Sequence, residues 1–122
     1  MPLAYHIDPA RKLVSITGEF SSDLEWKTVL NAVAEDPAYQ QGFSFLRDLR
    51  NATQPVDAHV VRRILEVVRL AWEILHPRRA AIVAPRHVET PALVAYALAE
   101  DAGVPLRVFT SYEDAMEWLN SA

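Results

Sequence analysis

Arg78-Arg79-Ala80-Ala81-Ile82-Val83-Ala84-Pro85 leads into Thr90-Pro91, then Gly103, then Leu106-Arg107-Val108-Phe109-Thr110-Ser111-Tyr112-Glu113, and closes on Asp114-Ala115-Met116-Glu117-Trp118-Leu119. Ala80 to Val83 is wholly apolar, the pattern of a strand buried on both faces. Thr90 suits an N-cap with Pro91 at the first helical position, where a missing N–H costs nothing. Gly103 suits the residue just past that helix. Leu106 to Phe109 is a further strand, and Thr110 with Glu113 reads as a capping box for a last helix over 112–120. This third of the chain is therefore strand, helix, strand, helix.

Working outward, Tyr5 to Ile7 and Lys12 to Thr17 read as two strands, and Asp8-Pro9-Ala10-Arg11 between them is turn material. An antiparallel hairpin is expected. Ser22 and Glu25 form a capping box for a helix reaching about Ala34, with Leu24, Val29, Leu30 and Val33 as its apolar stripe; Asp36-Pro37 stops it. Phe43 to Asp48 reads as a central strand entered through Gly42. A long helix is expected from Asp57 to about Leu75, ended by His76-Pro77. The order is β-β-α-β-α-β-α-β-α. Such alternation predicts an α/β fold: a mixed, mostly parallel five-stranded sheet with about four helices, connected by right-handed crossovers. A length of 122 residues fits a single domain.

Several classes of function are set aside by composition. The net charge of -4 disfavours nonspecific nucleic-acid binding, which needs clustered Lys and Arg. There is no cysteine, which excludes disulfides, thiol nucleophiles and Cys-ligated metal. No apolar run approaches the roughly 18 residues of a membrane span. Met1 to Asp8 lacks the charged and apolar regions of a signal peptide, so a cytoplasmic protein is expected. The three glycines, at 18, 42 and 103, are too far apart for a phosphate-binding loop. The four histidines, at 6, 59, 76 and 87, show no paired metal spacing. No cofactor or metal is expected, and no stretch is a specific catalytic motif.

The element order resembles the SpoIIAA-like fold, shared by STAS domains and SEC14-type lipid-carrying domains. The chain is similar to a group of small bacterial STAS/SEC14-like proteins, largely of unknown function. The matching pieces are Gly18, Asp48-Leu49-Arg50, Arg79 to Pro85, Val108-Phe109 and Ala115 to Leu119. STAS antagonists of anti-sigma factors carry a phosphorylated serine in an Asp-Ser-Ser-Gly segment after the third strand. The matching stretch here is Asp57-Ala58-His59-Val60, which keeps the Asp and lacks both serines and the glycine. The resemblance thus implies an interaction or regulatory module without that phosphoacceptor. Its SEC14-like side implies a carrier or sensor of a small apolar or lipid-like ligand.

Two candidate sites remain. Ligands of open α/β sheets bind outside the carboxyl ends of the strands. Asp48, Arg50, Asn51 and Thr53 follow the third strand, and Arg86 and His87 follow the fourth. Together they are a candidate anion or proton-transfer site, and an enzyme built on Asp48, Arg50 and His87 is the weakest of the functional expectations. Alternatively all are solvated loop residues. The second site is the long helix. At 100° per residue its apolar side chains cover an arc of roughly 220°, far beyond the 100° that one-sided packing needs. Arg62, Glu66, Arg69 and Glu73 form a narrow charged stripe opposite, and Arg63 lies at its edge. The arc is a homodimer interface carried by Val61, Ile64, Leu65, Val68, Trp72 and Leu75, or is buried within the monomer, or holds a lipid or apolar ligand. The leading expectation is a non-enzymatic module, homodimeric and able to bind a protein partner.

Overall fold

A computed structural model describes residues 3–18, 22–51, 58–86, 97, 100, 103 and 105–121. Five strands form one sheet in sequential order: β1 (Ala4–Asp8), β2 (Leu13–Thr17), β3 (Ser44–Asp48), β4 (Ala80–Val83) and β5 (Leu106–Phe109). β1 and β2 are antiparallel, as the turn at Asp8-Pro9 demands; the remaining pairs are parallel. The described helices are α1 (Asp23–Glu35), α2 (Ala58–Leu75) and α3 (Tyr112–Asn120). The α/β class and mixed sheet are as expected. The helix expected from Thr90 and Pro91 lies, save Ala97 and Glu100, outside the described residues, as do Thr53, Asp57 and His87.

The order of the sheet decides where the helices go. β2 to β3 and β3 to β4 each step one strand the same way, so right-handed crossovers put both connecting helices on one face. Strand alternation then divides the side chains. Val14, Ile16, Phe45 and Ala80 share a core with Trp26, Val29, Leu30 and Val33 of α1 and Ile64 and Leu75 of α2. Leu13, Leu46, Ala81 and Val83 pack on the other face with Ala115 and Leu119 of α3. Ala81 and Ala115 are almost fully buried. Their small side chains let α3 approach the sheet closely. Full burial of Val14, Leu46 and Val83 contributes about 1.5–3 kcal/mol each.

Helix ends follow local chemistry, with two departures from expectation. Ser22 caps α1 by accepting the Glu25 N–H at 3.3 Å. The Glu25 carboxylate reaches across to accept the Leu3 N–H at 2.8 Å, so it also ties down the chain entering β1. Leu24, expected in the apolar stripe, is 68 % exposed; Trp26 takes the inward place two residues on. At α3 the cap is Ser111, not Thr110, and its Oγ accepts the Asp114 N–H at 3.2 Å. His76 ends α2 in a left-handed conformation, φ 45°, with its N–H donating to the Trp72 carbonyl at 2.9 Å. No helix among the described residues is long and apolar enough to cross a membrane.

Candidate functional site

The carboxyl end of the sheet brings part of the expected polar site together. Parallel register sets Asp48 level with Val83, and Val83 level with Phe109. Residues just past β3 and just past β5 therefore meet above the sheet edge. Arg50 folds back on Asp48 at the end of β3: its Nε lies 3.0 and 3.2 Å from the two carboxylate oxygens and its Nη2 2.8 Å from Oδ2. The Arg50 N–H also donates to Asp48 Oδ1 at 3.0 Å, closing a local turn. The guanidinium carbon sits 4.2 Å from the centre of the Tyr112 ring, in the first turn of α3. This cation–π contact couples the β3 loop to the start of the last helix.

These contacts define the chemistry. Burial pushes the Asp48 carboxyl up, but hydrogen bonds from the Arg50 side chain and backbone, with the charges of Arg50 and Arg47, outweigh it and hold the carboxyl below the usual carboxylate range. An ionised carboxylate gripped on both oxygens is a poor general base. Arg50, in turn, spends its fork on Asp48 and one face on Tyr112. Asn51 and Arg86 are exposed and make no hydrogen bond or ion pair to a described residue. Of the expected set the structure thus joins Asp48 and Arg50, leaves Asn51 and Arg86 apart, and places Thr53 and His87 outside the described residues. Among the described residues no three His, Asp or Glu side chains gather to hold a metal ion.

Two arginines have roles that sequence reasoning missed. Arg47 is a buried residue of the central strand. Its Nη1 and Nη2 donate to the carbonyls of Ile16 and Gly18 at 3.2 and 2.7 Å, and its guanidinium lies 5.3 Å from the Trp26 ring centre. It pins the end of β2 to β3. Strand parity gave the signal, since Arg47 shares its face with Phe45. Arg79 caps the far end of α3, donating to the Trp118 carbonyl and the Ser121 hydroxyl at 2.5 and 2.6 Å.

The wide apolar arc of α2 divides into two parts. Ile64 and Leu75 are buried in the chain's own core, at 8 % and 2 % exposure. Val68 and Trp72 are half-buried against that core, and Leu65 packs against Ile82 and Ala84. The Val61 side chain lies outside those described. Much of the arc is therefore consumed within the monomer. Its other edge is not: Leu70 and Ile74, one turn apart, are 54 % and 65 % exposed. Beside them runs the charged stripe, where Arg69 Nη2 meets Glu66 Oε1 at 2.5 Å.

A shallow depression of about 420 Å³ lies on the opposite face of the sheet, lined by Phe109, Asp114, Glu117, Trp118 and Ser121. Arg79 and Arg107 lie 5.0 and 5.2 Å from the Trp118 ring centre, so the chain's own cations already use its aromatic floor. Comparison with protein-family models, with curated proteins and with solved structures finds no match for this chain.

Proposed function

We propose that the protein is a small, cytoplasmic, non-enzymatic interaction or regulatory module of the SpoIIAA-like kind, and that it works as a homodimer through α2. One observation carries this reading: α2 keeps Leu70 and Ile74 in water after its inner face has been buried. Two large apolar side chains one turn apart on a helix surface suit a partner surface. The polar cluster at the strand ends supports the non-enzymatic side, because Asp48 and Arg50 neutralise each other. The stretch Asp57-Ala58-His59-Val60 offers no serine or threonine, so regulation by phosphate at the STAS position is not part of the proposal.

Native mass spectrometry of gently purified protein tests this. A dimer at twice the chain mass is expected. A monomer carrying a small molecule that leaves on denaturation would replace this reading with that of a carrier of an apolar ligand. A bare monomer would remove the homodimer altogether.

A further inference from the structure

The outward face of α2 carries four charges in the order Arg62, Glu66, Arg69, Glu73, at spacings of four, three and four. At 100° per residue they fall within an arc of about 60°, opposite the buried Ile64 and Leu75. Reversing the chain direction reverses the order of charge at the same spacings. The stripe is therefore complementary to itself in antiparallel alignment, with its centre between Val67 and Val68.

The stripe is poorly accounted for by α2 alone. Glu66 and Arg69 pair with each other, and Glu73 attracts the same Arg69 only at longer range; neither Arg62 nor Glu73 makes an ion pair to a described residue. Glu73 sits in the last turn, where the helix dipole disfavours a carboxylate, and that turn holds no basic residue. Arg62 preceding Glu66 is the weaker orientation for a pair four apart. A second α2 running the other way brings each Glu73 a cation not already held by Glu66.

Resting on the homodimer reading above, we infer that α2 pairs with α2 of a second copy, antiparallel about a two-fold axis level with the midpoint of Val67 and Val68, so that Arg62 faces Glu73 and Glu66 faces Arg69 of the other chain. This is an isologous contact, closed by its own symmetry. Leu70 and Ile74 lie to one side of the stripe, with the exposed Arg63 between them in angle, about two turns nearer the helix start than Leu70. The two-fold keeps both copies of Leu70 on that same side, about 7.5 Å apart along the helix axis. They exclude water there, while the charges set register, since exposed ion pairs individually contribute only about 0–1 kcal/mol.

Sedimentation equilibrium of the full chain tests the alignment, using wild type, Arg62→Glu, Glu73→Arg and the double variant Arg62→Glu/Glu73→Arg. Each single reversal sets like charges face to face at two symmetry-related points. It is expected to raise the dimer Kd about tenfold or more. The double variant swaps the partners and restores attraction, so its Kd is expected to return to within about threefold of wild type. Unchanged far-ultraviolet circular dichroism checks that all four chains are folded. A wild-type dimer indifferent to every reversal would overturn this alignment and leave the homodimer standing on another surface. A double variant weaker than either single one would overturn the antiparallel direction. A monomeric wild type would overturn both the alignment and the homodimer.

Discussion

Arg79 holds Trp118 twice: its Nη1 donates to the Trp118 carbonyl at 2.5 Å, and its guanidinium carbon stands 5.0 Å from the centre of the same residue's ring. Arg78 works beside it, donating to the Leu119 carbonyl at 2.6 Å and to the Ser121 carbonyl. A helix of nine residues is marginal alone in water. It ends with four carbonyls lacking helical partners and no basic residue in its own last turn. The two arginines entering β4 supply what the helix lacks, and so fasten α3 to the strand it covers.

Arg79→Ala is expected to cost about 1–2 kcal/mol, the scale of charged hydrogen bonds partly open to water. Urea unfolding measures that loss. Hydrogen exchange should show it concentrated in the amides of 112–120. Arg79→Lys should recover only part of it: one ammonium nitrogen can donate to both acceptors, as Nη1 does, but it has no planar guanidinium to lie over the Trp118 ring. A uniform rise in exchange across the sheet would contradict the local role.

Tyr39 gives an alkaline prediction. Its hydroxyl donates to the Leu75 carbonyl at 2.7 Å, at the end of α2, and burial pushes its pKa up to about 12. A raised pKa means that the folded state holds the proton more tightly than the unfolded state, whose value is near 10. The stability this supplies is whole below about pH 10 and is lost as pH rises towards 12. Tyr39→Phe should cost about 1 kcal/mol at pH 7. It should also flatten the fall in stability between pH 10 and 12, read by urea unfolding across that range.

The division between what was legible and what was not follows from the range of each interaction. The unbroken apolar run at Ala80 to Val83, the Ser22 cap and the turn at Asp8-Pro9 are local, and each gave its element correctly. The wide arc of α2 was equally legible as a pattern. Which part of it met the core was not, because that depends on the place of β3 and β4 beneath it. Ile64 and Leu75 thus belong to the core, while Leu70 and Ile74 form the exposed edge. Likewise Asp48 and Arg50, two residues apart, could be paired by inspection. Tyr112, 62 positions after Arg50, reaches the same point only through the register of three parallel strands.

Asp48 gives the opposite pH dependence. Its carboxyl is held below the usual range, so its contribution to stability is present above the unfolded pKa near 4 and is lost as pH falls through the lower folded value. Its partner Arg50 is half open to water, which keeps the effect small. Asp48→Asn is expected to cost under about 1 kcal/mol at pH 7 and nothing further on acidification. Urea unfolding of both chains at neutral and acid pH compares them. A large loss at pH 7 would mean that the turn at Asp48 carries more of the fold than its ion pair.

Ile74→Glu and Leu75→Glu are adjacent substitutions with opposite expected outcomes. Leu75 is 2 % exposed and belongs to the core cluster with Phe45 and Ile64; Ile74 is 65 % exposed. A carboxylate at 75 has no basic neighbour in that apolar cluster and must be desolvated or protonated, at about 3–5 kcal/mol. That is a large share of the roughly 5–15 kcal/mol holding a domain of this size together, so Leu75→Glu should unfold it or lower its melting temperature steeply. A carboxylate at 74 keeps its water. It costs only a few tenths of a kcal/mol from the adverse helix dipole, and the melting temperature of the monomer should barely move. What Ile74→Glu removes is apolar surface beside the charged stripe, and it adds a like charge next to Glu73. Association should therefore weaken while the fold survives. Thermal melts followed by sedimentation separate the two effects. Similar melts for both variants would mean that the inward face of α2 has been misplaced by about one residue.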